Sequence, residues 1–290
     1  MPEPGAGPPA GWYPDPEGRP NPRYWDGERW TDRWQAPAGH ALADPSDPPR
    51  RLRPLRILAV TGLVVVAVAE LNNISADGEY LGVVNEILDG GLPSASEIRD
   101  AEDRVDQASI AIVVAYVFAA FAFIPWFHRA YSNLPKMGVA GLRYAPGWAI
   151  GAWFIPIFNL FRPKQIANDI DRASAPDAVV NTNAWHERAP ARLLHWWWGL
   201  FVASGLLANV AARAIINAAE DQAFLTRRDA LDALEQERTG FSLDVLASLL
   251  AIAAVVLAIL VIRRLTQAQD AVLDRLEGAG EQYGTALPSA

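Results

Sequence analysis

The stretch SIAIVVAYVFAAFAFIPWF, Ser109 to Phe127, carries no charge, and VLASLLAIAAVVLAILVI, Val245 to Ile262, is apolar apart from Ser248. Each can cross roughly 30 Å of hydrocarbon, which takes about 20 helical residues. A helix of a soluble protein keeps a polar face, and neither stretch has one. A third stretch, Leu193 to Ala212, is as long but includes His195, Ser204 and Asn209. Those groups need protein or interfacial partners, because an unsatisfied polar group in lipid is costly. The first stretch is the shortest: Ile57 to Ala69 is uncharged, and a span over 55–74 is reached only by including Arg56 and Glu70. The chain thus has four expected spans, at about 55–74, 109–127, 193–212 and 243–262.

Charge between the spans sets the orientation. Arg50, Arg51, Arg53 and Arg56 precede the first span, and the linker to the second is acidic, with Asp77, Glu79, Glu86 and Asp89 followed by Glu97 to Asp106. The next linker holds Arg129, Lys136, Arg143, Arg162, Lys164, Arg172, Arg188 and Arg192, and Arg263 with Arg264 closes the fourth span. Positive loops stay on the cytoplasmic side, so both termini and the 128–192 linker are expected there, with the linkers around 85 and 230 outside. Within the outer linkers, Ser94 and Glu97 have capping-box spacing. Ala211 to Glu237 is helical in composition and ends at Gly240, so the spans are expected to extend outward as helices. The same layout of span, acidic linker, span and basic helix occurs over 55–134 and 193–276, which suggests two parallel repeats.

A fifth apolar stretch, YAPGWAIGAWFIPIFNLF at 144–161, contains Pro146 and Pro156. Were it to span, the charge rule would be inverted twice. It reads instead as a re-entrant or interfacial element, since Trp and Tyr favour the headgroup level and broken backbone is tolerated where protein covers it.

Composition narrows the function classes. The net charge of −8 lies mainly in the outer linkers and the tails and does not favour nucleic acid. The absence of cysteine removes disulfides, thiolate metal sites and cysteine nucleophiles, and His40, His128, His186 and His195 make no ligand spacing. No metal, cofactor or catalytic residue is expected, nor an enzyme, since neither a nucleophile–base pair nor a Gly-rich phosphate loop is present. No secretory signal peptide is visible in the first fifty residues, so the first span is expected to act as its own insertion signal.

Residues 11–34 read GWYPDPEGRPNPRYWDGERWTDRW. Trp12, Tyr13, Tyr24, Trp25 and Trp30 can form one aromatic cluster, with turns at Asp15-Pro16, Pro20 and Asp26-Gly27. This predicts a cytoplasmic mini-sheet offering an aromatic groove to an extended peptide of an unidentified protein partner. It lies between a disordered tail at 1–10 and a Pro-rich linker at 35–50; a membrane domain at 51–276 and a second disordered tail at 277–290 complete the chain.

The string G-W-Y-P-D-P, a gap, R-Y-W-D-G, two residues and W-T resembles the short actinobacterial module catalogued as domain of unknown function 2510. The segments RAYSNLP, GLRYAPGWAIGAWFIPIFNLFRPKQ, DRAS and LLHWWWGLF resemble the four-helix membrane family catalogued as domain of unknown function 4328. That second resemblance covers most of 55–265 and implies four spans and a cytoplasmic signature loop. It carries over no catalytic residue, and its signature positions Arg129, Asn133, Arg143, Tyr144, Trp148, Trp153, Pro156, Asn159, Arg162 and Trp197 stand as candidates.

The fold expected is an all-α membrane protein: four transmembrane helices with helical outer extensions and a small Trp-rich amino-terminal module, multi-pass in the cell membrane. Arg143 and Arg162 flank the apolar loop in a way that suits anionic lipid headgroups. Arg129 and Asn133 stand one helical turn apart. Glu70 and Asp244 lie near the outer boundary, where they can reach water rather than the bundle interior. The function that uses every feature is a membrane-anchored interaction or regulatory protein contacting lipid or a partner through its loop. The alternative is a small-solute transporter or channel subunit.

Overall fold

The computed structural model describes residues 9–14, 16, 23–34, 47–139, 141–175, 184–220 and 226–282. Four helices are long and apolar enough to cross a membrane. They are α1 (Arg53–Leu88), α2 (Ala95–Lys136), α6 (Arg192–Glu220) and α7 (Arg227–Gln282); between α2 and α6 lie α3 (Trp148–Gly151), α4 (Pro156–Asn159) and α5 (Arg162–Ala173). All four expected spans fall inside the long helices, and the chain is a multi-pass membrane protein.

The helices form two hairpins, α1 with α2 and α6 with α7, joined through α1 against α7. The membrane-crossing elements therefore run in the order α2, α1, α7, α6, and α2 and α6 make no substantial contact among the described residues. A two-fold arrangement of parallel repeats pairs α2 with α6 as well as α1 with α7. This packing lacks that symmetry, so the repeated layout is one of connectivity rather than of spatial repeats.

Within lipid, apolar burial cannot drive helices together, and close backbone approach through small residues takes over. α2 buries Ala101, Ala108, Ala115 and Ala122, one every seven residues, against α1, where Ala59, Gly62, Ala69 and Ala76 are buried. A Cβ on Gly62 would stand 3.0 Å from the Cα of Ala119 and 3.0 Å from the Cβ of Ala122. The second hairpin closes in the same way at Gly240, where a Cβ would fall 2.6 Å from Cγ1 of Ile215 and 3.2 Å from its backbone nitrogen. Gly240 is therefore no helix end. It lies inside α7, while α6 stops at Glu220 and α7 begins at Arg227. α7 also runs to Gln282, six residues past the expected end of the membrane domain at 276.

Outward from these seams, Ile110, Val113, Val114, Val117 and Phe121 of α2 are exposed, as a lipid-facing surface is. The α1–α2 turn is fixed by the expected capping box: the Ser94 hydroxyl accepts from the Glu97 N–H (3.2 Å), and the Glu97 carboxylate accepts from the Ser94 N–H (2.7 Å). We call this end of the bundle the hairpin end, and the opposite one, which carries α3 to α5, the loop end.

At the loop end, residues 47–52 are strapped to the bundle rather than free as linker. Leu52 is fully buried, Arg51 pairs with Asp274 (2.8 Å) and Glu277 (2.7 Å), and Lys136 pairs with Asp47 (2.6 Å).

The amino-terminal module is a three-stranded antiparallel sheet of β1 (Gly11–Tyr13), β2 (Arg23–Trp25) and β3 (Trp30–Trp34), in that order. The β2–β3 turn is held by the Asp26 carboxylate, which accepts from the N–H groups of Glu28 (2.9 Å) and Arg29 (2.8 Å), and by Gly27, whose φ of +103° few other residues adopt.

Candidate functional site: a proline-broken loop at one end of the bundle

Pro146 and Pro156 lack the N–H that continues a helix, and the 144–161 stretch accordingly folds as two single turns, α3 and α4. Its start is pinned by Tyr131 of α2. The Tyr131 hydroxyl donates to the Tyr144 carbonyl (3.1 Å) and accepts from the Tyr144 N–H (3.2 Å). The Tyr144 hydroxyl in turn donates to the Gln165 side chain on α5. The middle is held by Trp153, whose ring packs edge-on against Phe123 and Phe127 of α2 and against Trp198 and Phe201 of α6. The loop thereby bridges the two outer helices.

Arg162, the first residue of α5, turns back over this loop. Its guanidinium carbon lies 3.6 Å from the ring centre of Phe158, 3.9 Å from that of Trp148 and 5.3 Å from that of Tyr144. This is an aromatic cage for a cation. Arg143 reaches Asp169 at 3.8 Å, and the Asp169 carboxylate is wholly buried without a hydrogen-bond partner among the described residues. Burial pushes the Asp169 carboxyl above the usual carboxylate range, opposed by Arg143, Arg172 and His186. Further buried polar atoms without a partner among the described residues are Trp153 Nε1, Asn159 Oδ1 and Arg162 Nη1. Such atoms are few in native proteins, and their concentration marks the loop.

Of the candidates read from sequence, Arg143, Tyr144, Trp148, Trp153, Asn159 and Arg162 thus come together around α3 and α4, and Trp197 is buried in the same core as Trp153. Asn133 and Arg129 belong to α2. Asn133 is fully buried in another role: its carbonyl accepts from the Arg50 N–H (3.1 Å), and its amide donates to the Arg50 carbonyl (2.8 Å) and to Gln269 of α7 (3.1 Å). Arg129 is half-buried one turn earlier. In the module, Tyr13 and Trp25 both make ring contacts with Trp30, at 6.4 and 5.3 Å. Tyr24 alternates to the other face of β2. The side chain of Trp12 lies outside the described residues.

The hairpin end differs from expectation. Glu70 faces the bundle, accepting from the Tyr116 hydroxyl of α2 (2.8 Å), and the Asn73 amide donates both to Asp77 (3.0 Å) and to Asp244 of α7 (2.9 Å). Glu70 is 4% exposed and does not simply reach out to water, Asp244 is half-buried, and Asp77, 1% exposed, joins them. Sequence reasoning misses Asn73 and Asp77 as site residues, although positions 70, 73 and 77 have the spacing that places residues on one helical face.

Between α2 and α6 an apolar groove of about 240 Å³ runs past Ala119 and Ala254 to Trp153, Phe154 and Trp197. Its lining offers a chain of hydrocarbon contacts and almost no hydrogen-bonding groups, so it suits an apolar occupant.

No curated protein and no solved structure matches the chain. The family model described as "Protein of unknown function (DUF2510)" matches residues 10–49, a stretch that takes in the three-stranded sheet. A second family model matches residues 89–267, beginning after α1 and taking in α2, the whole loop and the apolar run of α7. The chain belongs to the family of that second model, "Domain of unknown function (DUF4328)".

Proposed function

We propose that the protein is a membrane-anchored interaction or regulatory protein of the cell membrane, with both termini cytoplasmic. Its loop contacts membrane lipid or a partner, and its Trp-rich sheet captures an unidentified protein partner. Binding rather than catalysis is its work. One observation carries the loop part of this reading. The cations of the loop are engaged by the protein itself, Arg162 over its own aromatics and Arg143, although 43% exposed, beside the buried Asp169, while Ile150, Phe154, Ile157 and Leu160 are 40%, 70%, 70% and 52% exposed. A contiguous apolar face of this kind marks a membrane or protein contact.

The chain has no cysteine, so single labels can be introduced freely. Spin labels at Ile150 and Ile157 in nanodiscs should be relaxed more by oxygen dissolved in the bilayer than by a water-soluble nickel chelate. Accessibility to the chelate at both positions would remove the lipid-contact reading. For orientation, an impermeant maleimide should label cysteines at Glu86 and Asp232 in intact cells, and one at Glu187 only after permeabilisation.

A second reading, a small-solute transporter or channel subunit, draws support from Glu70, Asn73, Asp77 and Asp244 meeting between α1 and α7, because intramembrane acids often mark ion paths. Solute or cation flux into proteoliposomes, abolished by Asp77→Asn, would favour it over the first.

A further inference from the structure

On the face of α7 opposite the apolar groove, α5, α6 and α7 enclose a cleft of about 760 Å³, within the size range of ligand sites. One wall is basic: Arg172 from α5, Arg188 from the turn before α6, and Arg263 with Arg264 from α7. The only acid in the lining among the described residues is Asp171, and it is already engaged. Its carboxylate accepts from Arg264 Nε (2.7 Å) and from the Ala191 N–H (2.8 Å). Asp171 thus orients one arginine and ties the start of α6 to α5. Arg172 Nε is buried and has no acceptor among the described residues, and Arg263 makes no ion pair among them. Nearby, burial together with the charge of Arg172 pulls Lys164 down to about 8, as a region crowded with cations does.

The other wall is apolar and belongs to the spans. Leu193 and Leu260 line the cleft just where the uncharged run of α7 ends, and Leu260 is 43% exposed. The cleft therefore lies at headgroup depth, with guanidinium groups on the water side and leucines on the hydrocarbon side. Arginine recognises phosphate by charge-assisted and often bidentate hydrogen bonds, and basic pockets between membrane helices suit lipid headgroups that bear phosphate.

We propose that this cleft is a binding site for a phosphate-bearing polyanion, held by Arg172, Arg188, Arg263 and Arg264, and that its occupant is the headgroup of a lipid with two phosphates in the leaflet at the loop end. The acyl chains leave past Leu193 and Leu260. The inference extends the lipid-contact reading to a second surface with a defined ligand class, and it uses none of the residues labelled to test that reading.

The test uses the full chain in phosphatidylcholine nanodiscs doped with increasing cardiolipin, a two-phosphate lipid, or with phosphatidylserine at matched total charge. Native mass spectrometry reads the mole fraction at which half the chains retain one lipid. Retention of one cardiolipin at a lower mole fraction than phosphatidylserine is expected. Arg188→Gln with Arg263→Gln should raise that mole fraction by roughly thirtyfold, since each surface cation contributes about 1 kcal/mol, whereas Arg129→Gln, elsewhere at the same end, should not. Inorganic pyrophosphate separates the two sources of phosphate: it should displace cardiolipin only weakly. Equal retention by the double variant, or an equal loss with Arg129→Gln, overturns the site. Tight pyrophosphate binding without cardiolipin retention overturns the lipid assignment in favour of a soluble ligand. Unfolding of the double variant is controlled by Arg188→Lys with Arg263→Lys, which keeps the charge and should recover most of the binding.

Discussion

Replacing Arg162 separates two jobs that a basic residue beside an apolar loop can have. If the guanidinium serves mainly to hold α3 and α4 together, what matters is its flat face as well as its charge. It lies within 4 Å of the ring centres of Trp148 (3.9 Å) and Phe158 (3.6 Å). A cation over an aromatic ring contributes about 0.5–1 kcal/mol when exposed and about 2 when desolvated. Two such rings, with Arg162 only half-buried, give about 2–3 kcal/mol. Arg162→Gln should forfeit nearly all of it. Arg162→Lys keeps the charge but loses planar stacking, and should fall between the two. For a domain of this size 1 kcal/mol corresponds to about 2–4 °C, so the glutamine variant should melt on the order of 5–10 °C lower. The assay is monodispersity by size-exclusion chromatography after a heat series, first in neutral detergent and then in nanodiscs with and without anionic lipid. The deficit should be the same in all three. A lysine variant that melts with the wild type, or a glutamine deficit that appears only with anionic lipid, would refute the cage and return Arg162 to the headgroups.

The packing dictates four further outcomes. Deleting residues 1–45 should leave insertion and melting unchanged, whereas Asn133→Ala strands buried partners in Arg50 and Gln269 and should cost about 2 kcal/mol, read as faster trypsin cleavage near Arg50 to Arg56. Gly62→Leu forces α1 away from the Ala119 backbone and should cost about 1–3 kcal/mol, while Gly62→Ala costs less, both measured by the same heat series. Asp169 is raised in the fold by burial, so its contribution favours the protonated form: it is present at low pH and lost as pH rises through the folded-state value. Asp169→Asn should accordingly raise the melting midpoint more at about pH 8 than at about pH 3, below the ordinary aspartate range, and an equal shift at both would contradict the burial argument.

How far the sequence can be read depends on whether a residue's role is set by its neighbours in the chain or by the rotation of its helix. Ser109 to Phe127 and Val245 to Ile262 can hardly be anything but spans, and Ser94 with Glu97 closes a cap through local bonds alone, so all three are legible. Gly240 is not. A glycine that ends a helix and a glycine that lets two helices touch look identical in one sequence, and only the approach of Ile215 from α6 separates them. The acids at the hairpin end mislead for a related reason. Depth near a span end suggests water, but Glu70 shares a face with Asn73 and Asp77, and that face is turned toward α7. The arginines present the harder case. In the sequence, Arg172, Arg188, Arg263 and Arg264 are topology signals, and the rule that positive loops stay inside applies to them whether or not they converge. Convergence is set by Asp171, which binds Arg264 and the start of α6 at once. Nothing in the sequence around Asp171 marks it for that task, because Asp169 two residues earlier is buried among cations as well, and only the approach of α6 and α7 decides which of the two acids holds Arg264.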